Sequence, residues 1–294
     1  MTVAWSFHSR GRLPEQGYTW LPAGRAQGAA PEVLLRGCAG RSVNDLVDDT
    51  KSSLLLYALK DGAGARPLWV LLLTGLRSAD DTGDHMRRPI RLLLLGTGPG
   101  VGSKGLLPPP ELLSVARLFL TGGMEQDLPV AHGHPAGTAG FAVDVSGWDA
   151  LLERARACAP EVVPLPGPNE IRLAPDSPAD RVAAAGMLAD LERRLARTGS
   201  GLDGARLVGP GARPLLIVTS LLGSESLLAV RPLHALGARV GRPVHAKWDR
   251  QNGQSFLEGS VRRMTDALGR TGLVLTLLVL GALGALGAVL AVVI

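Results

Sequence analysis

Hydrophobic and polar positions follow three different patterns along this 294-residue chain. Near the start, Val3, Trp5 and Phe7 occupy one side of a period-two alternation, which predicts a strand, and Tyr18–Leu21 is placed to pair with it. Further on, LWVLLLT over 68–74 and LLLL over 92–95 are nearly continuous apolar runs, the pattern of strands buried on both faces. Phe141–Val145 and LLIVTSLL, introduced by Pro214, read as further strands. Helical spacing supplies the third pattern. Ser42-Val-Asn-Asp45 resembles an N-cap with an acid three residues on, predicting a helix to Lys60 before Gly62. Glu111–Thr121 predicts a helix stopped by Gly122 and Gly123, and Ser146-Gly-Trp-Asp149 caps one through Ala159. Ser177, Pro178 and Asp180 open another, with Val182, Met187, Leu188, Leu191 and Leu195 as its apolar stripe and Gly199 as its stop. A last helix is expected over Glu225–Leu236.

Strands alternating with helices predict an α/β body with a mixed or parallel sheet and flanking helices. Six prolines between 160 and 178 mark a connection unable to form a continuous helix. The expected organisation is an N-terminal α/β domain over 1–159 and the Pro-rich connection over 160–178. A second α/β part over 179–250 follows, which one larger domain could equally include, then a juxtamembrane stem over 251–270 and a transmembrane helix over 271–294.

Residues 272–294 contain 23 consecutive uncharged residues, among them eight Leu, five Val and four Gly. As an α-helix this stretch reaches roughly 34 Å, enough to cross a hydrocarbon core of about 30 Å. Helix is the expected form because lipid offers no partner to free backbone groups. Arg262, Arg263 and Arg270 precede the span and no charged side chain follows it, so the basic flank is expected on the cytoplasmic side. The expectation is a tail-anchored, single-pass protein of the cell membrane with its N-terminal body in the cytoplasm. Cys38 and Cys158 would then be free thiols. Within the span, Gly281 and Ala285, Gly284 and Ala288, and Gly287 and Ala291 form small-xxx-small pairs. Such pairs let helices approach closely, so the lipid bilayer and a second copy of the span are both expected partners.

Composition alters this picture little. Mean hydropathy is +0.19 and the net charge +5, which excludes a disordered chain. The hydropathy excess resides in the C-terminal stretch. Arg outnumbers Lys by 27 to 4, which together with abundant Ala, Gly, Pro and Leu reads as the codon bias of a GC-rich bacterial genome. No dense basic run interleaved with aromatics occurs, so nucleic acid is not an expected partner.

Candidate chemistry is sparse. Gly96–Gly105 follows a strand, and a phosphate could lie against Gly98, Gly100, Gly102, Ser103 and the counter-charge of Lys104. The register departs from the phosphate loop, since Ser103 precedes Lys104. Gly100, Gly102 and Gly105 fit G-x-G-x-x-G, but Leu-Leu-Pro-Pro-Pro follows where a helix would have to begin. Asp80, Asp81, Asp84 and His85 could surround a divalent ion, although polar Gly-bounded loops ordinarily have this composition. His132 and His134 have no Cys or third His nearby to complete a zinc set. Ser224 and Ser226 follow a strand without the G-x-S-x-G elbow. No cofactor, metal or catalytic residue is predicted. The functional expectation is a non-catalytic binding, scaffold or sensor module, engaging a cytosolic protein or small molecule. The alternative is a membrane-bound enzyme acting on a nucleotide or other phosphorylated substrate through Gly96–Gly105.

Overall fold

The two nearly continuous apolar runs lie side by side as β4 (Leu68–Leu76) and β5 (Ile90–Thr97), antiparallel, with Leu71 opposite Leu94 and Leu72 opposite Leu93. Successive side chains of a strand point to opposite faces, yet these four leucines are at most 1% exposed. Burial on both faces is what their missing alternation predicts. The computed structural model describes residues 3–11, 17–23, 47–48, 51–59, 68–78, 89–97, 108–124, 128–132, 140–166, 170–198, 215–221, 234–237 and 244–247. Nearly all of the described residues belong to one compact unit, Met1–His245. Segment 272–294 lies outside the described residues, and no helix among those described is long and apolar enough to cross a membrane.

β3 (Ser53–Leu59) pairs antiparallel with β4, which corrects the helix expected over Ser42–Lys60. Leu54, Leu55, Leu56, Tyr57 and Ala58 are all buried. A short apolar run without alternation fits a helix or a buried strand equally well, and pairing with β4 decides between them. β1 (Ala4–Ser9) pairs with both β5 and β2 (Thr19–Ala23), Phe7 standing opposite Leu21, as the alternation predicted.

Beyond β3 lie β8 (Glu170–Ala174), β9 (Leu215–Val218), β10 (His234–Leu236) and β11 (Val244–Lys247). The last three residues of the helix expected over Glu225–Leu236 are therefore strand. The order of the nine-stranded sheet is β11-β8-β10-β9-β3-β4-β5-β1-β2. From β9 to β2 every pairing is antiparallel, whereas β10 runs parallel to both β8 and β9. The sheet is thus mixed and mostly antiparallel. β6 (Val130–His132) and β7 (Phe141–Val143) form a separate antiparallel pair.

Among the described residues, three helices flank the sheet: α1 (Pro110–Leu120), α2 (Val145–Ala157) and α3 (Pro178–Thr198). α1 lies against β3, β4 and β5, with α2 and α3 as its helical neighbours. Its buried Leu112, Val115 and Phe119 join Leu56, Leu71, Leu92 and Phe7 in one core. The buried Arg117 of α1 forms an ion pair with Glu192 of α3. At α2 the cap is Asp144, two residues before the expected Ser146, because its carboxylate accepts the Ser146 N–H at 3.0 Å. α3 begins where predicted: the Ser177 hydroxyl accepts the Asp180 N–H at 3.1 Å and donates to the Asp180 carboxylate at 2.6 Å. Met187, Leu188 and Leu191 of its stripe are buried, but Val182 is 44% exposed.

Candidate functional site

The turn after β8 and the first turn of α3 meet the end of β9 and the start of β3 in a polar knot. Asp176 follows β8 by two residues, and its carboxylate receives Arg181 Nε at 2.6 Å and Arg181 Nη2 at 3.1 Å. Their side chains are 10% and 15% exposed, so the pair is largely removed from water. Arg181 also donates to the carbonyl of Ser52 at 2.6 Å. Ser220, just past β9, contributes its N–H at 2.7 Å and its hydroxyl at 2.9 Å to the same Asp176 oxygen. To reach that geometry Ser220 adopts φ 53°, which a side chain ordinarily avoids.

A cleft of about 320 Å³ opens beside this knot. Phe119, Leu120, Thr121 and Gly122 from the end of α1 line one side, and Pro178, Arg181 and Val182 from α3 another. Arg181 lies 5.9 Å from the Phe119 ring centre, a cation–π contact that holds the guanidinium beside the apolar wall. The cleft lies at the carboxyl ends of the parallel strands, where open α/β sheets place ligands because loops and helix starts leave room there. Its electrostatics are balanced. Arg181 faces Asp176, and the start of α3 lies across from the end of α1, so opposite helix-dipole ends border the space. Such a site favours an uncharged molecule with polar and apolar parts over a polyanion, which would need an uncompensated cation.

Of the residues that the sequence offered for site chemistry, only His132 is among those described. Gly98, Gly100, Gly102, Ser103 and Lys104 fall outside the described residues, as do Asp80, Asp81, Asp84, His85, His134, Ser224 and Ser226. The span residues Gly281, Gly284, Ala285, Gly287, Ala288 and Ala291 are outside them as well. Flanking the glycine loop, β5 ends at Thr97 and α1 begins only at Pro110, with Glu111 in its first turn. An acidic side chain at that helix start opposes an anion there. His132 sits in β6 with Nε2 2.9 Å from the Ser9 hydroxyl. Ser9 is 0% and His132 7% exposed, so a substrate cannot reach this Ser–His contact. No group of three metal-ligating side chains occurs among the described residues. Cys158 is a free thiol, its sulfur 3.6 Å from the Thr121 hydroxyl.

Asp176, Arg181, Ser220 and Ser52 were not singled out by their sequence context. Asp176 lies inside the Pro-rich stretch, and Ser220 interrupts what reads as one apolar strand. The available signal was an Asp five residues before an Arg at a strong helix start, together with a Thr-Ser break after Leu-Ile-Val. Comparison of the chain with family models, curated proteins and solved structures returned no match.

Proposed function

We propose that this chain is a membrane-attached, non-catalytic binding protein whose α/β body holds a small uncharged amphipathic molecule between α1 and α3. The observation that carries the binding role is the cleft itself: apolar Phe119, Leu120 and Val182 beside a neutralised Arg181–Asp176 pair. Concave sites with mostly apolar walls and a few fixed polar groups are the usual form of small-molecule sites. Attachment rests on the 23 uncharged residues of 272–294, with Arg262, Arg263 and Arg270 on the cytoplasmic side. Tethering then concentrates body and ligand at one surface without new contacts.

Thermal denaturation of the full-length protein in detergent tests the binding role, with cyclohexanol and hexanamide as uncharged probes and ATP as the charged comparison. The probes should raise the melting temperature of the wild type, and Val182→Trp, which fills the cleft, should abolish that rise. No response to either probe would remove the cleft from consideration. Stabilisation by ATP that disappears in Lys104→Ala would instead establish the phosphorylated-substrate reading of Gly96–Gly105.

A further inference from the structure

Around the cleft the hydrogen-bond donors are engaged and acceptors are left over. α1 ends in a left-handed turn at Gly122, φ 80°, where three N–H groups fold back on its last carbonyls. Thr121 donates to Arg117 at 3.0 Å, Gly122 to Phe119 at 3.0 Å and Gly123 to Leu118 at 2.9 Å. The Thr121 hydroxyl has the Arg117 and Leu118 carbonyls as acceptors at 3.1 and 3.0 Å. Among the described residues no hydrogen bond reaches the carbonyls of Leu120 or Thr121, and both residues line the cleft. Carbonyls of a final helical turn point beyond the helix end and carry the negative pole of its dipole. A cation in that turn would answer them, but Arg117, the basic residue there, is turned to Glu192 and Ser114.

The α3 wall does not supply matching donors. Pro178 has no N–H, the Asp180 N–H goes to the Ser177 hydroxyl at 3.1 Å, and the Arg181 N–H goes to the Ser177 carbonyl at 2.9 Å. Ala179, the remaining residue of that turn, is not part of the cleft wall. The Arg181 side chain is directed to Asp176 and Ser52. Asp176 Oδ1, by contrast, receives Arg181 Nε alone among the described residues, and a carboxylate oxygen has room for a second donor. Ser52 adds a hydroxyl, which gives or takes a hydrogen bond equally.

We propose that the molecule held in this cleft is a hydrogen-bond donor, an alcohol or a primary amide. Its O–H or N–H is accepted by the Leu120 and Thr121 carbonyls, while its apolar part lies along Phe119 and Val182. The inference rests on the cleft reading proposed above and narrows it by chemical class. A carbonyl that gives up water to a ligand without gaining a donor loses a hydrogen bond, so ketones and esters of the same shape are disfavoured.

The test uses the full-length protein in detergent and two probe pairs matched in size: cyclohexanol with cyclohexanone, and hexanamide with methyl pentanoate, which lacks an N–H. Apparent affinities follow from the dependence of melting temperature on probe concentration. The donor of each pair should bind about fivefold more tightly, the effect of one hydrogen bond. Methyl pentanoate is the more apolar of its pair, so tighter binding of hexanamide cannot come from apolar burial. Cyclohexanone or methyl pentanoate binding as tightly as its donor counterpart would overturn the donor preference and leave the cleft standing as a site. No response to any of the probes would remove the cleft reading and the inference with it. Gly122→Lys locates the acceptors: a Cβ at Gly122 meets nothing within 4 Å, and an ammonium there reaches the last carbonyls of α1. It should abolish the preference, whereas Gly122→Met, with the same backbone cost and no donor, should retain it. An undiminished preference in Gly122→Lys would overturn the placement of the acceptors at the end of α1.

Discussion

Asp176 gathers four donors from two residues that lie 39 positions apart in the chain. It receives two Arg181 nitrogens and both donors of Ser220, while Arg181 continues to Ser52. Removing one partner of a largely buried pair leaves the other charge uncompensated, so Asp176→Ala should cost roughly 3–5 kcal/mol. Ser220→Ala keeps the left-handed backbone and loses the hydroxyl's bond to Asp176 together with its longer contacts to the Ser52 carbonyl and Arg181 Nη2, a loss of about 1–2 kcal/mol. Ser220→Gly loses the same hydroxyl contacts but relieves a backbone cost of roughly 1–2 kcal/mol, so it should be close to neutral. Urea denaturation should give the order Asp176→Ala, Ser220→Ala, Ser220→Gly. Equal losses in the three would dissolve the proposed division between charge and strain.

Asp144 offers a second residue-scale prediction. Hydrogen bonds from the Ser146 side chain, and then from the Gly147 backbone, hold its carboxyl below the ordinary value of 3.8. A lowered folded-state pKa gives stability that is complete above 3.8 and is lost as pH falls through the lowered value. Melting temperatures of wild type and Asp144→Asn should therefore converge on acidification below that point. A gap independent of pH would show that the charge contributes nothing to the cap.

At the scale of elements, α3 decides how the Pro-rich stretch behaves. Residues 158–166 have no regular secondary structure, yet Val163 and Leu165 pack against the core, and the Leu165 N–H donates to the Asp190 carboxylate at 3.1 Å. The approach is close enough that a Cβ on Gly186 would overlap the Glu161 carbonyl and come within 2.8 Å of Val163 Cγ2. In an exposed helix Gly→Ala gains about 1 kcal/mol. Here Gly186→Ala should destabilise despite that gain, because the new methyl meets backbone oxygen. Chemical denaturation of Gly186→Ala measures the sign directly, and stabilisation would mean that the stretch moves aside freely. The prolines were legible in the sequence; the contact of Glu161, Val163 and Leu165 with α3 was not, since it joins positions some 25 residues apart in the chain.

At the scale of the whole molecule, the proposed anchor makes the simplest prediction. Full-length protein should remain in the membrane pellet through carbonate washing, and deletion of residues 271–294 should release the body. Extraction of the full-length protein would remove the membrane from its function. Crosslinking of wild type against Gly284→Ile addresses the small-residue seam: a bulky branched side chain in a close helix contact should lower self-association severalfold. Unchanged crosslinking would leave the seam without a role in assembly.

The order of hydrophobic and polar positions was sufficient for β1, β4, β5, α1 and α3, because each pattern matches one local geometry. It was insufficient for Ser53–Leu59 and for His234–Leu236. In the first, an unbroken apolar run suits either helix or buried strand, and pairing with β4 settles the matter. The second becomes a strand by lying between β8 and β9. The candidate site has the same origin. Asp176, Arg181, Ser220 and Ser52 each have an ordinary local context, and no spacing connects a Pro-rich turn to a residue before β3. By itself the sequence determined which segments are apolar, where one helix of membrane length can form, and how the local elements start and stop, since these depend on neighbours along the chain. Only the tertiary structure decided the mostly antiparallel order of the sheet, the burial of the Arg181–Asp176 pair and the cleft beside it, because strand pairing and desolvation act between residues that the chain keeps far apart.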